Sequence, residues 1–246
     1  MPGIGIGISP ALRGGALPAG HPGRLGSLLA AWEADYGITL NGSTVASWAP
    51  KYGSGVLAQG TAASQPTFTA NRGDGKPELL FDGADDSLSM GSLWPQLPDS
   101  AYAVVLSGKI TSTVASGRVV QVYVSGDDHN QKLLIATTNS SGSCVIEAGC
   151  RVAGAWNVTS SATIASAASL RFSALVQRNG SAWTISANGT TQNGTQAASS
   201  SGSNTMLVGA GNGMFFGGTL SALWVFSGPV DVAATIAAMQ AKFPNL

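Results

Sequence analysis

Apolar residues at every second position, broken by turns that carry glycine, leave this chain little to build but sheets. Residues 78–90, ELLFDGADDSLSM, set the pattern: Leu79 and Phe81 precede the Asp-Gly-Ala-Asp-Asp run, and Leu88 and Met90 follow it. The stretch predicts a β-hairpin with one buried face, anchored by Phe81, with Gly83 supplying the freedom of the turn. A clearer double hairpin covers LRFSALVQRNGSAWTISANGTTQ. Phe172, Ala174 and Val176 phase inward before Asn179-Gly180, and Trp183 and Ile185 phase inward before Asn188-Gly189. Asn-Gly pairs mark tight turns because both central residues of a type I′ turn need positive φ.

The remaining segments obey the same rule. Trp32 and Trp48 stand on either side of an Asn41-Gly42 turn, with Ile38 and Leu40 before it and Val45 after it. GTAASQPTFTANRGDGKP, at 60–77, reads as a surface loop. YAVVLSGKI is apolar enough for a central strand covered on both faces. RVVQVYVSG, KLLIATT and SCVIEAGC add strands, and FFGGTLSALWVF alternates through Leu220, Ala222, Trp224 and Phe226. One helix is predicted at the end, with Pro229 in its first turn and Val232, Ile236, Met239 and Phe243 on one face. No boundary divides the body, so the expected organisation is an arm, residues 1–26, and one domain, residues 27–246.

The arm is rich in Gly and Pro, with Ile4, Ile6 and Ile8 at period two. Two readings stand: a disordered tether, or an extended strand that pairs with a neighbouring subunit because it cannot bury its face alone. Charged residues make up 10% of the 246 and cancel to zero net charge, which excludes nucleic acid and anionic membrane as main partners. No apolar run reaches about 18 residues, so no membrane-inserting segment is read. The N-terminus lacks the cationic and continuous apolar regions of a secretory signal. Cys144 and Cys150 are then expected as two thiols, with a cross-strand disulfide left open.

The order of these pieces resembles the concanavalin A-like lectin/glucanase superfamily, in its laminin-G-like branch. LLAAWEADYGITLNGSTVASW resembles the family's opening, and KPELLFDGADDSLSM resembles its F-D-G-x-D-D hairpin. LRFSALVQRNGSAWTISANG, MLVGAG and FFGGTLSALWVF resemble its later strands, so the likeness covers about residues 28–243. After the second Trp the family's acidic and Ser-Gly-Asn-Gly continuation is replaced by Ala49-Pro50-Lys51-Tyr52-Gly53. The resemblance implies two antiparallel sheets packed as a jelly roll. With the alternation, it gives an all-β sandwich with an extended N-terminal arm and a short C-terminal helix.

The same resemblance frames the chemistry. Glucanases of this superfamily carry a Glu-x-Asp-x-x-Glu run, and glycosidases need two carboxylates flanking the scissile bond. Here Glu33, Glu78 and Glu147 are scattered, and neighbours such as Asp85 and Asp86 on a strand face opposite ways. No Cys/His cluster has zinc spacing, and His129, in Asp127-Asp128-His129-Asn130, reads as a solvated turn. Calcium is the metal worth considering, at Asp82, Asp85 and Asp86. The alternative, that Asp82 and Asp85 hydrogen-bond their own turn, stands beside it. Trp94, Trp156 and Tyr123 are the candidate glycan platform, with Tyr52 and Tyr102 as further aromatics, whereas Trp183 and Trp224 phase into the core. The function expected is a non-enzymatic phage or prophage virion protein, a capsid decoration or tail appendage made in the bacterial cytoplasm. Its arm contacts other virion proteins and its lectin-like domain host-surface polysaccharide, with homo-oligomers compatible. A bacterial carbohydrate-binding adhesin is the alternative, and a glycoside hydrolase a third reading.

Overall fold

The computed structural model describes residues 17, 21–91, 97, 98, 100–111, 116–124, 127–140, 143–152, 155–164, 171–195, 204–211 and 213–244. For 116–124, 127–132, 138–140, 143, 144, 151, 152, 155–164 and 204 it describes the backbone alone. The first half runs β1 (Leu28–Glu33), β2 (Ile38–Asn41), β3 (Thr44–Trp48), β4 (Tyr52–Gly53), β5 (Leu57–Ala58), β6 (Thr67–Thr69), β7 (Glu78–Asp82), β8 (Leu88–Met90), β9 (Ala101–Ile110) and β10 (Ser116–Val124). The second half runs β11 (Asp127–Ser140), β12 (Ser143–Val152), β13 (Ala155–Ile164), β14 (Arg171–Asn179), β15 (Ala182–Ala187), β16 (Thr190–Thr195), β17 (Asn204–Val208), β18 (Ala210–Gly211), β19 (Met214–Phe215), β20 (Gly217–Phe226) and α1 (Val232–Lys242). No helix among the described residues is long and apolar enough to cross a membrane.

The ladders are antiparallel and form two layers. In the first, β20 lies between β9 on one edge and β1 with β7 on the other, and β9 continues through β14, β15 and β16. In the second, β8 joins β5 to β17, which continues through β10, β11 and β12 to β13. The β2–β3 hairpin attaches to the second layer through β5 and touches the first through one bridge, Thr44 to Thr67 of β6. Phe81, Leu106, Phe172, Val176 and Trp183 meet Leu88, Leu133, Ile146 and Met206 between the layers. A second core lies outside the first layer, where Val105, Leu175, Trp224 and Phe226 pack under Ile236, Met239 and Phe243. This is why β9 is apolar from Ala101 to Leu106: Tyr102, Val104 and Leu106 face the interior while Ala103 and Val105 face the helix. Among the described residues the fold is an all-β antiparallel sandwich with one short α-helix.

Several local expectations hold. Phe172, Ala174, Val176, Trp183 and Ile185 face the interlayer core as their phase predicts. Asn188 and Gly189 both adopt positive φ, 46° and 88°, as a type I′ turn requires. The preceding turn instead centres on Gly180 and Ser181, with Asn179 paired to Ala182 and Gly180 at a φ of 63°. Asp231 caps α1 by accepting the Ala234 amide at 2.8 Å, so Pro229 sits ahead of the cap and outside the first turn. Ahead of β1, Pro22 is buried, Leu25 packs on the helix-side core, and the His21 and Tyr52 rings lie 4.1 Å apart.

Others are corrected. Residues 78–90 are no hairpin: β7 pairs with β6 and β20, whereas β8 pairs with β5 and β17. The Gly83-bearing turn therefore carries the chain from one layer to the other, and both strands bury one face because they look into the same interior from opposite sides. Phe81 is its anchor, at 0% exposure. In β20 the register shifts between Leu220 and Ala222, so Leu220, Leu223 and Val225 face the interlayer core. Trp224 is buried as expected, but under α1. Residues 60–77 contain a strand, β6, and Asp127-Asp128-His129 opens β11 and is no turn. Cys144 and Cys150 share β12, six residues apart. That is roughly 20 Å along a strand, so no bridge joins them.

Candidate functional site

β1 ends at Glu33, and the chain reverses over Ala34–Gly37 before β2 begins. Gly37 permits the reversal: its φ is 69°, and a Cβ there would meet the Ala49 carbonyl oxygen at 2.5 Å. The reversal leaves an open cleft of about 460 Å³ between Asp35, Tyr36, Ile38 and Leu40 on one side and Phe68 and Pro77 on the other. Small-ligand sites fall in the range of about 300–1,000 Å³. Among the described residues four large apolar side chains stand exposed, and two of them, Tyr36 at 50% and Leu40 at 47%, line this one cleft. Their clustering makes it the leading binding surface of the described chain.

Asp35 is held in place from behind. The Lys51 ammonium lies 3.0 Å from both Asp35 oxygens and 3.0 Å from Glu33 Oε2. Burial pulls the Lys51 pKa down, but its hydrogen bonds to Glu33 and Asp35 outweigh that and leave it above the ordinary value. Glu33 itself is wholly buried. Its Oε1 accepts from Lys242 Nζ at 2.6 Å and from Trp224 Nε1 at 3.2 Å, while its carbonyl accepts from Trp48 Nε1 at 3.1 Å. One carboxylate thus ties β1 to β20, to the segment before β4 and to the last turn of α1.

The second buried glutamate is engaged in the same way. Glu78 Oε2 accepts from Arg171 Nη1 at 2.8 Å and from Thr219 Oγ1 at 2.9 Å. Beside it Arg72, with no side-chain exposure, donates to Asp74, to Ser221 Oγ and to the Pro244 carbonyl. The Arg72 hydrogen bonds hold the Asp74 carboxyl down at about 2. Both glutamates are pinned by cations inside the protein and present no free face to a ligand.

The acidic turn does converge. One carboxylate oxygen from each of Asp82, Asp85 and Asp86 lies within 4.8 Å of the others. Asp82 Oδ1 accepts the amides of Ala84 at 2.8 Å and Asp85 at 3.3 Å, the self-bonded turn that the sequence left as one alternative. Asp86 Oδ2 accepts the Asp82 amide at 2.9 Å, and Asp85 Oδ2 accepts the Ser64 hydroxyl at 3.2 Å. Burial pushes Asp86 up to about 6, with the charges of Asp82 and Asp85 adding to it against the Asp82 amide. Three oxygens on one turn match part of the shell a hard cation takes. Two of them belong to exposed side chains, where water can complete it.

The candidate platform fares differently. Trp94, and Ile4, Ile6 and Ile8 of the arm, lie outside the described residues, while Trp156 on β13 and Tyr123 on β10 are described in the backbone alone. Tyr102 is buried and meets Trp183 edge-on at 6.0 Å, so it belongs to the core. Tyr52 is covered by His21, with the Lys242 ammonium 5.9 Å from its ring. Asp35 and Tyr36 were missed by sequence reasoning. The available signal was an aromatic next to an acid and a glycine, inside a turn where no core needs it.

No family model matches the chain, and no curated protein matches it in sequence. Solved structures do resemble it. Domain 4 of AbnA, a GH43 extracellular arabinanase from Geobacillus stearothermophilus, in complex with arabinotriose, is similar with a TM-score of 0.61 at 11% identity, over 87% of this chain and 98% of that one. The fold that these structures share with this chain is an antiparallel β-sandwich. The sialidase of Trypanosoma rangeli follows at 0.59 and 10% identity, over 88% of this chain and 33% of that one. A heptameric SAP-like pentraxin from Limulus polyphemus gives 0.51 at 16%, over 67% and 80%. At these identities the likeness extends to the fold alone.

Proposed function

We propose that this chain is a carbohydrate-binding module, a non-enzymatic lectin-like sandwich that offers the Tyr36 cleft to a glycan. The observation that carries this reading is the meeting of exposed Tyr36 and Leu40 with the Asp35 carboxylate in one open cleft. A sugar ring has apolar C–H faces and a rim of hydroxyls, so it needs an aromatic or aliphatic wall beside a fixed acceptor. The arabinotriose held by the AbnA domain supports the reading by likeness of fold. Hydrolysis finds less support: of the described carboxylates, Asp35 alone lines the cleft, and Glu33 and Glu78 are buried in ion pairs. Calcium at Asp82, Asp85 and Asp86 would clamp the interlayer turn and would supply no chemistry to the cleft.

The setting belongs to the same proposal. The alternating Ile4, Ile6 and Ile8 suit an arm that docks on neighbouring phage virion proteins, leaving the sandwich to face host polysaccharide. Deleting residues 1–26 then leaves a folded domain that no longer joins its particle; unchanged assembly refutes the arm's role. For the module itself, the chain is applied to immobilised polysaccharides and bacterial surfaces. Retention without sugar release supports the reading, and passage through every column refutes it.

A further inference from the structure

We propose that the Tyr36 cleft selects neutral saccharides and rejects anionic ones, with Asp35 as the residue that decides it. This deepens the carbohydrate-binding reading and rests on it. Among the described residues the lining contains one acidic side chain, Asp35, and no Lys, Arg or His. Lys76, next in sequence to Pro77, is not part of it. Among the described residues the cation paired with Asp35 is Lys51, and its ammonium is engaged on the side away from the cleft: it donates to Asp35 Oδ1 and Oδ2 and forms an ion pair with Glu33 Oε2, each at 3.0 Å. Lys242, which also touches Glu33, sits 2.6 Å from Oε1 on the helix side.

A uronate or sialate entering the cleft therefore meets a carboxylate and finds no lining cation to pair with. Like charges brought together at a binding surface disfavour the wrong partner strongly. A neutral sugar meets the opposite situation. Each Asp35 oxygen accepts one bond from Lys51 and has a further lone pair for a hydroxyl. Because Lys51 holds both oxygens, the carboxylate presents those lone pairs in a fixed direction and can read two adjacent hydroxyls. Tyr36, Leu40 and Phe68 cover the C–H faces that remain. The result is acceptor-only recognition on an apolar wall.

The test uses the full chain and titration calorimetry with a panel of neutral arabino-, gluco-, galacto- and manno-oligosaccharides. Each is matched to a uronate or sialylated counterpart of similar length. Neutral members are expected to bind at least tenfold more tightly than their acidic counterparts. Asp35→Ala is expected to weaken neutral binding by roughly ten- to a hundredfold, the size of a hydrogen bond to a charged group. Asp35→Asn, which keeps the shape, should narrow the gap between neutral and acidic ligands, and Tyr36→Ala should weaken binding without shifting the melting midpoint. Equal or tighter binding of acidic sugars overturns the selectivity. Wild-type affinity in both Asp35→Ala and Tyr36→Ala places the site elsewhere and leaves the carbohydrate-binding reading standing. No binding across the panel overturns both.

Discussion

Glu33→Gln is the perturbation whose size the structure fixes best. Glu33 has no exposed surface, and a buried carboxylate loses several kcal/mol of hydration that its partners must offset. Here two ammonium groups at 3.0 and 2.6 Å and an indole at 3.2 Å do so. Gln keeps an acceptor for Trp224 but leaves Lys242 without a carboxylate, while Lys51 retains Asp35. Both lysine side chains are 25% exposed, so they regain water and the loss falls short of that for a fully buried pair. We expect about 2–3 kcal/mol, below the ~3–5 kcal/mol of a pair broken in a dry interior. In a chain of this size that lowers the melting midpoint by roughly 4–12 °C. Urea unfolding followed by tryptophan fluorescence measures it. Lys242→Met attacks the same contact from the helix, so the double variant should recover a coupling of at least about 1 kcal/mol. Strict additivity, or a Gln variant as stable as the wild type, would refute the claim that Glu33 fastens the helix to the sheet.

Asp86 is raised from 3.8 to about 6, so its charge opposes folding, and stability contributed by the protonated form is lost as pH climbs through that window. Asp86→Asn should therefore melt higher at pH 7, by on the order of 1–2 kcal/mol, with the advantage gone below about pH 4; equal melts at pH 7 contradict it. If calcium occupies the turn, millimolar calcium stabilises the wild type and not this variant, and an unmoved wild-type melt removes calcium from the account. His21 is held below 6.5, chiefly by burial and then by Lys242, and its Nδ1 accepts the Gly23 amide at 2.9 Å. Its stabilising contribution is complete above pH 6.5 and is lost as pH falls below it, so amide exchange over residues 21–26 should accelerate on acidification and lose that dependence in His21→Phe. An identical pH response in the variant contradicts the assignment. Gly209 has a φ of 88°, and a Cβ there would meet Phe81 Cδ1 at 2.3 Å. Gly209→Ala should lose at least about 2 kcal/mol, and an unmoved urea midpoint would show that Phe81 is not the fixed anchor proposed.

What could be read from sequence was local. The β14–β16 double hairpin was legible because alternation fixes the phase of Phe172 through Ile185 and Asn188-Gly189 marks the second turn, although the first turn falls one residue later than its Asn-Gly pair suggests, at Gly180-Ser181. The partner of β7 was not, since alternation reports which face is buried and is silent on which strand lies alongside. In β20 a shift near Ser221 reverses the phase, so Trp224 moved from the interlayer core to the underside of α1. The acidic turn was legible because its three carboxylates share one turn. The Tyr36 cleft was not, because Phe68 and Pro77, which close it, come from a segment beyond three further strands, β3 to β5. The Glu33–Lys242 pair, 209 positions apart, leaves no trace in either local pattern.

Amide hydrogen exchange of the full chain, with and without a saturating neutral oligosaccharide, tests the central claim most directly. The account predicts slowed exchange concentrated in residues 34–40 and 68–77, on the two walls of the Tyr36 cleft. Protection confined to the β10–β13 face, or an exchange pattern that the sugar leaves unchanged, would contradict it.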